Sequence, residues 1–293
     1  MQKRWVSEVL KKKSLYTLYQ PIVDHRRGQV IAHEALSRPY LNQRFFPPDI
    51  FFKSAARCNQ QAAADRLAFE QAIAHFQYDS LSCKTLFINV IPTNLLDARF
   101  VHFLERIAGR FRQLSMELVI ELVEYIPYCT KEIVSAIDRL RSQGVYFALD
   151  DLQEDADLPD LLDKVGRIHP EYVKIDKSMI QGLARSIQQQ KQVERLLKVI
   201  PESTKIVAEG VEEWEDLHLL RELGVHLSQG FYWSKPLKMS ETPWLLAQIE
   251  LQKEGLHSMV MHRDRPFSDA QVVAMGKSLD LLLLSYHVFK GDL

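Results

Sequence analysis

Between residues 84 and 229, short apolar runs alternate with stretches of helical periodicity, and most of the apolar runs lead into a polar side chain. Residues 145–151 show the pattern best: Val145-Tyr146-Phe147-Ala148-Leu149 leads straight into Asp150-Asp151. A continuous apolar run rich in Val, Tyr and Phe reads as a strand of a parallel sheet, buried on both faces. Two adjacent carboxylates at its end repel each other unless a positive charge gathers them. Similar runs occupy residues 84–90, 117–123, 172–175, 204–208 and 226–228. Helical patterns cover 130–141 and 213–223, closing on Gly144 and Gly224, and also 158–165 and 180–199. Thr93 is placed to cap a helix carrying Leu95, Leu96, Phe100, Phe103, Leu104 and Ile107. This alternation predicts parallel βα units.

Upstream, residues 15–23 and 29–36 read as two strands of a hairpin, turning at His25-Arg26-Arg27-Gly28. Residues 3–13 read as a short basic amphipathic helix, 39–48 as loop, and 51–76 as helix interrupted near Asn59. Eight strands predict closure into an α/β barrel. A barrel needs about 250 residues, so part of the 293-residue chain is left over, and its 46% hydrophobic content suffices for such a core. After Pro236 the pattern changes. Thr242-Pro243 starts a helix extending to residue 261. Residues 262–266 form a polar break, and Ser268 with Gln271 makes a capping box for a second helix that reaches residue 289. The expected division is a barrel over 1–241 and a C-terminal helical hairpin over 242–293.

Charge and composition narrow the function classes. A formal net charge of −1 gives no field for a nucleic-acid polymer or an anionic membrane. The apolar run at 281–284 is far too short to span a bilayer, and the N-terminus lacks the apolar run of a signal peptide. Cys58, Cys83 and Cys129 are scattered, which suits a reducing, cytoplasmic setting. None of the ten histidines forms a His-x-x-x-His pair, so zinc is not expected.

The polar residues at the strand ends carry the chemistry. Glu34 ends the second strand, with Arg38 four residues on. Asn89 ends the third, Glu121 and Glu124 the fourth, and Asp150 and Asp151 the fifth. Lys174 and Asp176 sit at the end of the sixth, Glu209 ends the seventh and Gln229 the eighth. In a βα barrel the strand C-termini open onto one face, where active sites lie. Carboxylates and a carboxamide converging without Cys or His favour Mg²⁺ or Mn²⁺. Two such ions bridged by an Asp suit phosphodiester hydrolysis. Lys174 would hold or deprotonate the attacking water, its pKa depressed by nearby cations, or else form a salt bridge to the acids. Arg38 suits a phosphate oxygen or a carboxylate partner.

These residues resemble a known family. Tyr19-Gln20-Pro21-Ile22-Val23 and Glu34-Ala35-Leu36-Ser37-Arg38 are similar to the opening of EAL domains, the cyclic di-GMP phosphodiesterases. The likeness continues through Asn89, Glu121-Leu122-Val123-Glu124, Asp150-Asp151, Lys174-Ile175-Asp176, Ala208-Glu209-Gly210-Val211-Glu212 and Gln229-Gly230-Phe231. It covers residues 15–237. The resemblance implies a modified TIM barrel with an antiparallel first strand. It implies metal ligation by Glu34, Asn89, Glu121 and Asp150, with Asp151 and Glu209 serving a second ion. Lys174 would act on the attacking water, while Glu124 and Asp176 belong to the same catalytic motifs. Gln20, Leu36, Arg38, Asp65 and Gln229 fall where the family contacts its dinucleotide. The reaction implied is cleavage of cyclic di-GMP to linear pGpG, in a homodimer.

One stretch departs from the family. After its paired aspartates the family carries a Phe-Gly-x-Gly loop; here the chain reads Asp151-Leu152-Gln153-Glu154-Asp155-Ala156-Asp157-Leu158, without either glycine. Glycine permits turns with φ > 0 and close approach to a ligand, so a cyclic di-GMP receptor with weak or no turnover is the alternative expectation. The hairpin carries a second resemblance. Ser268-Asp269-Ala270-Gln271-Val272-Val273, Leu279-Asp280-Leu281-Leu282-Leu283 and Tyr286 are similar to the small phosphatases that act on the sporulation response regulator. That likeness implies a phosphorylated response regulator as partner, through Asp280 or through docking.

Overall fold

The computed structural model describes residues 2–27, 29–42, 44–76, 84–124, 128–152 and 158–239, together with 256, 269, 270, 272, 273, 275–277 and 279. Strand β1 (Leu15–Asp24) returns through a tight turn into β2 (Gln29–Leu41). Strands β4 (Thr85–Val90), β5 (Glu117–Leu122), β6 (Val145–Leu152), β7 (Tyr172–Ile175), β8 (Lys205–Ala208) and β9 (Leu227–Ser228) then follow in parallel. The order β1-β9-β8-β7-β6-β5-β4-β2 closes on itself through the β1–β2 pairing. The result is a closed eight-stranded barrel in which β1 runs antiparallel to both neighbours. The antiparallel first strand expected from the family resemblance is present.

Between the strands lie α4 (Ala98–Gln113), α5 (Thr130–Arg141), α6 (Leu158–Ile168), α7 (Lys177–Ile180), α8 (Ile187–Val199) and α9 (Trp214–Glu222). Ahead of the barrel's parallel part, α1 (Gln2–Lys12), α2 (Pro48–Arg57) and α3 (Gln61–His75) pack around the hairpin. The strands bury both faces, and two apolar layers result. Ile22, Ala32, Phe87, Val119, Ala148, Tyr172, Val207 and Leu227 form a small cluster of their own. Each comes from a different strand, as the interior of a barrel requires. A much larger cluster packs strands against helices, including Phe100, Leu104, Ile137 and Leu220. Among the described residues no helix is long and apolar enough to cross a membrane.

Three local expectations are corrected. The segment 39–48 is not all loop: β2 continues to Leu41, and β3 (Arg44–Phe45) pairs with Tyr40 and Leu41. Thr93 does not cap α4; it lies inside a 3₁₀ turn, Pro92–Leu96, and Asp97 caps α4 by accepting from Arg99 N at 2.9 Å. The helix expected over 180–199 is broken at Gly182 (φ 79°), and Ser186 caps α8 afresh. Most of the 242–293 hairpin, including Ser268, Gln271, Asp280 and Tyr286, lies outside the described residues. Within it, Val272 and Met275 are buried in the larger apolar cluster, with Leu256 and Leu279 packed against it.

Candidate active site

Two residues beyond each member of the small interior cluster, on the same side of its strand, stands a polar side chain. Phe87 is followed by Asn89, Val119 by Glu121, Ala148 by Asp150, Tyr172 by Lys174, Val207 by Glu209, and Leu227 by Gln229. Ala32 precedes Glu34, and Ile22 follows Gln20 on the antiparallel strand. The two-residue period of a strand thus sets a polar ring directly above an apolar plug.

Lys174 Nζ is the hub of the ring. It lies 2.6 Å from Glu209 Oε1, 2.8 Å from Glu121 Oε1, 2.9 Å from Asp150 Oδ1 and 3.2 Å from Glu34 Oε2. Asn89 Nδ2 donates to Glu34 Oε1 at 3.0 Å and to Glu121 Oε2 at 2.9 Å. Gln229 Nε2 donates to Glu34 Oε2 at 2.7 Å and to Gln20 Oε1 at 3.0 Å, and Gln20 Nε2 donates to the carbonyl of Ser234. Glu34, Asn89, Glu121, Asp150, Lys174, Glu209, Gln20 and Gln229 are therefore brought together.

The electrostatics follow from four acids facing one buried ammonium. Burial raises Glu121 well above the usual carboxylate range, and the charges of Glu34 and Asp150 add to this against Lys174. Burial likewise raises Glu209, against the pull of Lys174. Burial alone would also raise Glu34, but the charge of Lys174 and hydrogen bonds from Gln229, Lys174 and Asn89 hold it below its ordinary value. For Lys174, burial opposes the charge, yet Asp150, Glu121, Glu209 and Glu34 together keep its pKa well above the ordinary lysine value. The depressed pKa expected from the sequence is that of a lysine beside cations; with only carboxylates facing Nζ, the direction is upward.

The ring also tests whether a divalent cation suits it. An ammonium has three N–H donors, and here it faces four carboxylates. Glu121 Oε1 meets that shared ammonium at 2.8 Å. The donors are all carboxylate or carboxamide oxygens, the chemistry that suits Mg²⁺ or Mn²⁺. Among the described residues no three such side chains stand ready-made around a common metal position, since the acids converge on the ammonium. The donor set fits a hard divalent ion; the arrangement around Lys174 is the one the acids take with that ammonium as their counter-charge.

Other expected site residues lie around the ring. Leu36 lines a cleft of about 480 Å³ together with Glu34, Asp65, Asn89, Asp150 and Lys177. Arg38 is half-buried, donates to the Ser37 carbonyl at 3.0 Å, and has its pKa lowered by burial against the charge of Glu34. Asp65 accepts from Ile91 N at 2.8 Å and Asn94 Nδ2 at 2.7 Å, which anchors the turn leaving β4. Asp176 caps α7 by accepting from Ser178 N at 2.9 Å. Glu124 stands apart from the ring: it accepts from Tyr128 Oη at 2.8 Å and from Lys164 of α6, which also pairs with Asp160 at 2.8 Å. Sequence reasoning did not single out Lys164; only its i, i+4 spacing from Asp160 marked it. The side chain of Asp151 and the loop residues 153–157 lie outside the described residues.

Glycine is required after two ring residues. At Gly230 a Cβ would come within 2.1 Å of Val211 O, and at Gly210 (φ 63°) within 2.3 Å of the Lys177 Cβ. These close approaches let the chain turn immediately beyond Gln229 and Glu209.

Comparison with known proteins places this geometry. A probable cyclic di-GMP phosphodiesterase of Escherichia coli K12, PdeN, is 26% identical over 254 residues, covering 83% of this chain and 47% of the relative. The cyclic di-GMP phosphodiesterase TpdA of Vibrio parahaemolyticus is 30% identical over 151 residues, covering 50% of this chain and 25% of the relative. The chain thus spans about half or less of the length of these curated relatives. The crystal structure of an EAL domain protein from Listeria monocytogenes superposes with a TM-score of 0.67 at 24% identity, covering 79% of this chain and 92% of that one. The family model described as the EAL domain matches residues 3–236. With that match over most of its length, the chain belongs to the EAL domain family.

Proposed function

We propose that the chain hydrolyses one phosphodiester of cyclic di-GMP to linear pGpG in a metal-dependent reaction. The observation that carries this reading is the buried ring in which Glu34, Glu121, Asp150 and Glu209 converge on Lys174, with Asn89 bonded to two of them. The names of the curated relatives support the substrate. Glu34, Asn89, Glu121 and Asp150 would hold one Mg²⁺ or Mn²⁺, and Asp151 and Glu209 would serve a second. When bound, such ions supply Lewis acidity to the phosphoryl group and lower the pKa of water. Lys174, positioned from β7, would direct an N–H toward the attacking water and orient its lone pair to phosphorus. Arg38 would grip a phosphate oxygen. Gln20 and Gln229 would orient the substrate from the β1–β9 side, Leu36 would pack against it, and Asp65 would brace the cleft wall. Glu124, bonded to Lys164 of α6, and Asp176, capping α7, would act as positioning residues.

The test is direct. The purified full chain with cyclic di-GMP and Mg²⁺ or Mn²⁺ should yield pGpG by chromatography, and Glu34→Ala should lower the rate by at least about a thousandfold. No pGpG with either ion would sink the reading. A second reading, a receptor with little turnover, is favoured by the glycine-free sequence after Asp151. Calorimetry showing tight binding without product would select it.

A further inference from the structure

The ring is one rung of a longer ladder. The register of β1 on β2 runs unshifted from Leu15↔Pro39 to Pro21↔His33, so Gln20↔Glu34, Leu18↔Leu36 and Tyr16↔Arg38 share one face of the hairpin. Tyr40 follows on the same face of β2, and Phe45 of β3 is its cross-strand partner. On the other face Leu15, Thr17, Tyr19, Pro39 and Leu41 are buried. On the shared face burial fades outward. Gln20 and Glu34 are buried, Leu18, Leu36, Arg38 and Tyr40 are half-buried, and Tyr16 and Phe45 are 39% and 64% exposed.

The ladder ends in a cluster of aromatic rings. Tyr16 stacks on Tyr40 with centroids 4.5 Å apart, and Phe45 lies 6.1 Å from each. The apolar core occupies the opposite face, so packing does not account for three rings here. Two cations flank them: Arg38 is the cross-strand neighbour of Tyr16, and Lys238 Nζ sits 5.0 Å from the Tyr16 centroid. A π surface beside cations, in line with a phosphodiester site, has the chemistry of a nucleobase platform. A rise of about 3.3 Å per residue puts the Tyr16–Arg38 rung roughly 13 Å from the Gln20–Glu34 rung.

We propose that Tyr16, Tyr40 and Phe45 form a stacking platform for the distal purine base of a cyclic dinucleotide whose scissile phosphodiester lies at the acid ring. The proposal rests on the reading of that ring as a cyclic di-GMP site and deepens it to a specificity-determining surface. Tyr16 offers its ring, Tyr40 supports it from behind, and Phe45 covers the edge. Lys238 yields the ring face to the base and turns its ammonium to the phosphates.

The full chain is assayed with cyclic di-GMP by steady-state kinetics and by calorimetry, with a gel-filtration profile for each variant. Tyr16→Ala should raise KM and Kd about tenfold, the loss falling on KM rather than kcat. Phe45→Ala, at the most exposed ring and with the least consequence for folding, should raise both about threefold. Tyr16→Phe should restore most of the affinity, since stacking needs the ring and not the hydroxyl. If both alanine variants keep wild-type KM and Kd, the platform is wrong while the reading of the ring stands. If they change oligomeric state and not Kd, the rings belong to a contact between copies, and the proposal is overturned. A wild-type chain that neither binds nor cleaves cyclic di-GMP removes the underlying reading and the platform with it.

Discussion

Asp65 is an acid almost without water, 1% exposed and held by two hydrogen bonds to the turn beyond β4. Burial pushes its pKa from the usual 3.8 up to about 7, against the pull of those two bonds. The unfolded chain therefore releases this proton near pH 4 and the folded chain near pH 7. The contribution to stability is fully present below about pH 4 and is lost as pH rises to about 7. Asp65→Asn should abolish that decline, gaining on wild type by up to about 1.4 kcal/mol per pH unit across this window. Urea melts at pH 5 and pH 8 check it; an equal difference at both would contradict the assignment. The acids were legible in the sequence because each stands at the end of an apolar run. Their partners were not. Glu124 meets Lys164, 40 positions away, because α6 returns over the end of β5. The direction of the Lys174 shift depends on which charges face it, and only the folded geometry decides that.

The legible elements are those whose signal is local. A strand repeats every two residues, so Phe87 with Asn89, or Val119 with Glu121, announces both the plug and the ring from sequence alone. The missed elements depend on what lies across from them. Tyr40 and Leu41 continue β2 because Phe45 and Arg44 pair with them, although Pro39 reads as loop. Thr93 has the chemistry of a cap, but the 3₁₀ turn moves the start of α4 to Asp97. The bend after Gln229 is the element most sensitive to a single methyl. Gly230→Ala would drive a Cβ against the Val211 carbonyl, so the turn must shift and carry Gln229 away from Glu34. The expected cost is about 2–3 kcal/mol in a denaturant melt, with a weakened affinity for cyclic di-GMP in the same preparation.

For the whole molecule, the expected boundary at residue 241 can be tested through two residues beyond it. Val272 is 4% exposed and Met275 2%, and both belong to the apolar cluster that joins the barrel strands to their helices. We predict that Met275→Asp lowers the barrel's own unfolding midpoint, at a cost in stability of about 3 kcal/mol or more for a buried unpaired charge. A barrel transition that stays put in calorimetry, with only a minor separate transition moving, would support an independent hairpin. The closure of the barrel has a consequence of another kind. β1 pairs with β9 at Val23↔Ser228, and the bond from Gln229 to Gln20 crosses the same seam, 209 positions apart. During synthesis β1 emerges before every other barrel strand, and one of its edges waits uncovered until β9 has been made. Pairing across so long a stretch makes closure a slow event in folding. The polar ring and the seam are completed together, so a chain that stops short of β9 has no assembled ring, and the ring forms in one step once β9 is in place.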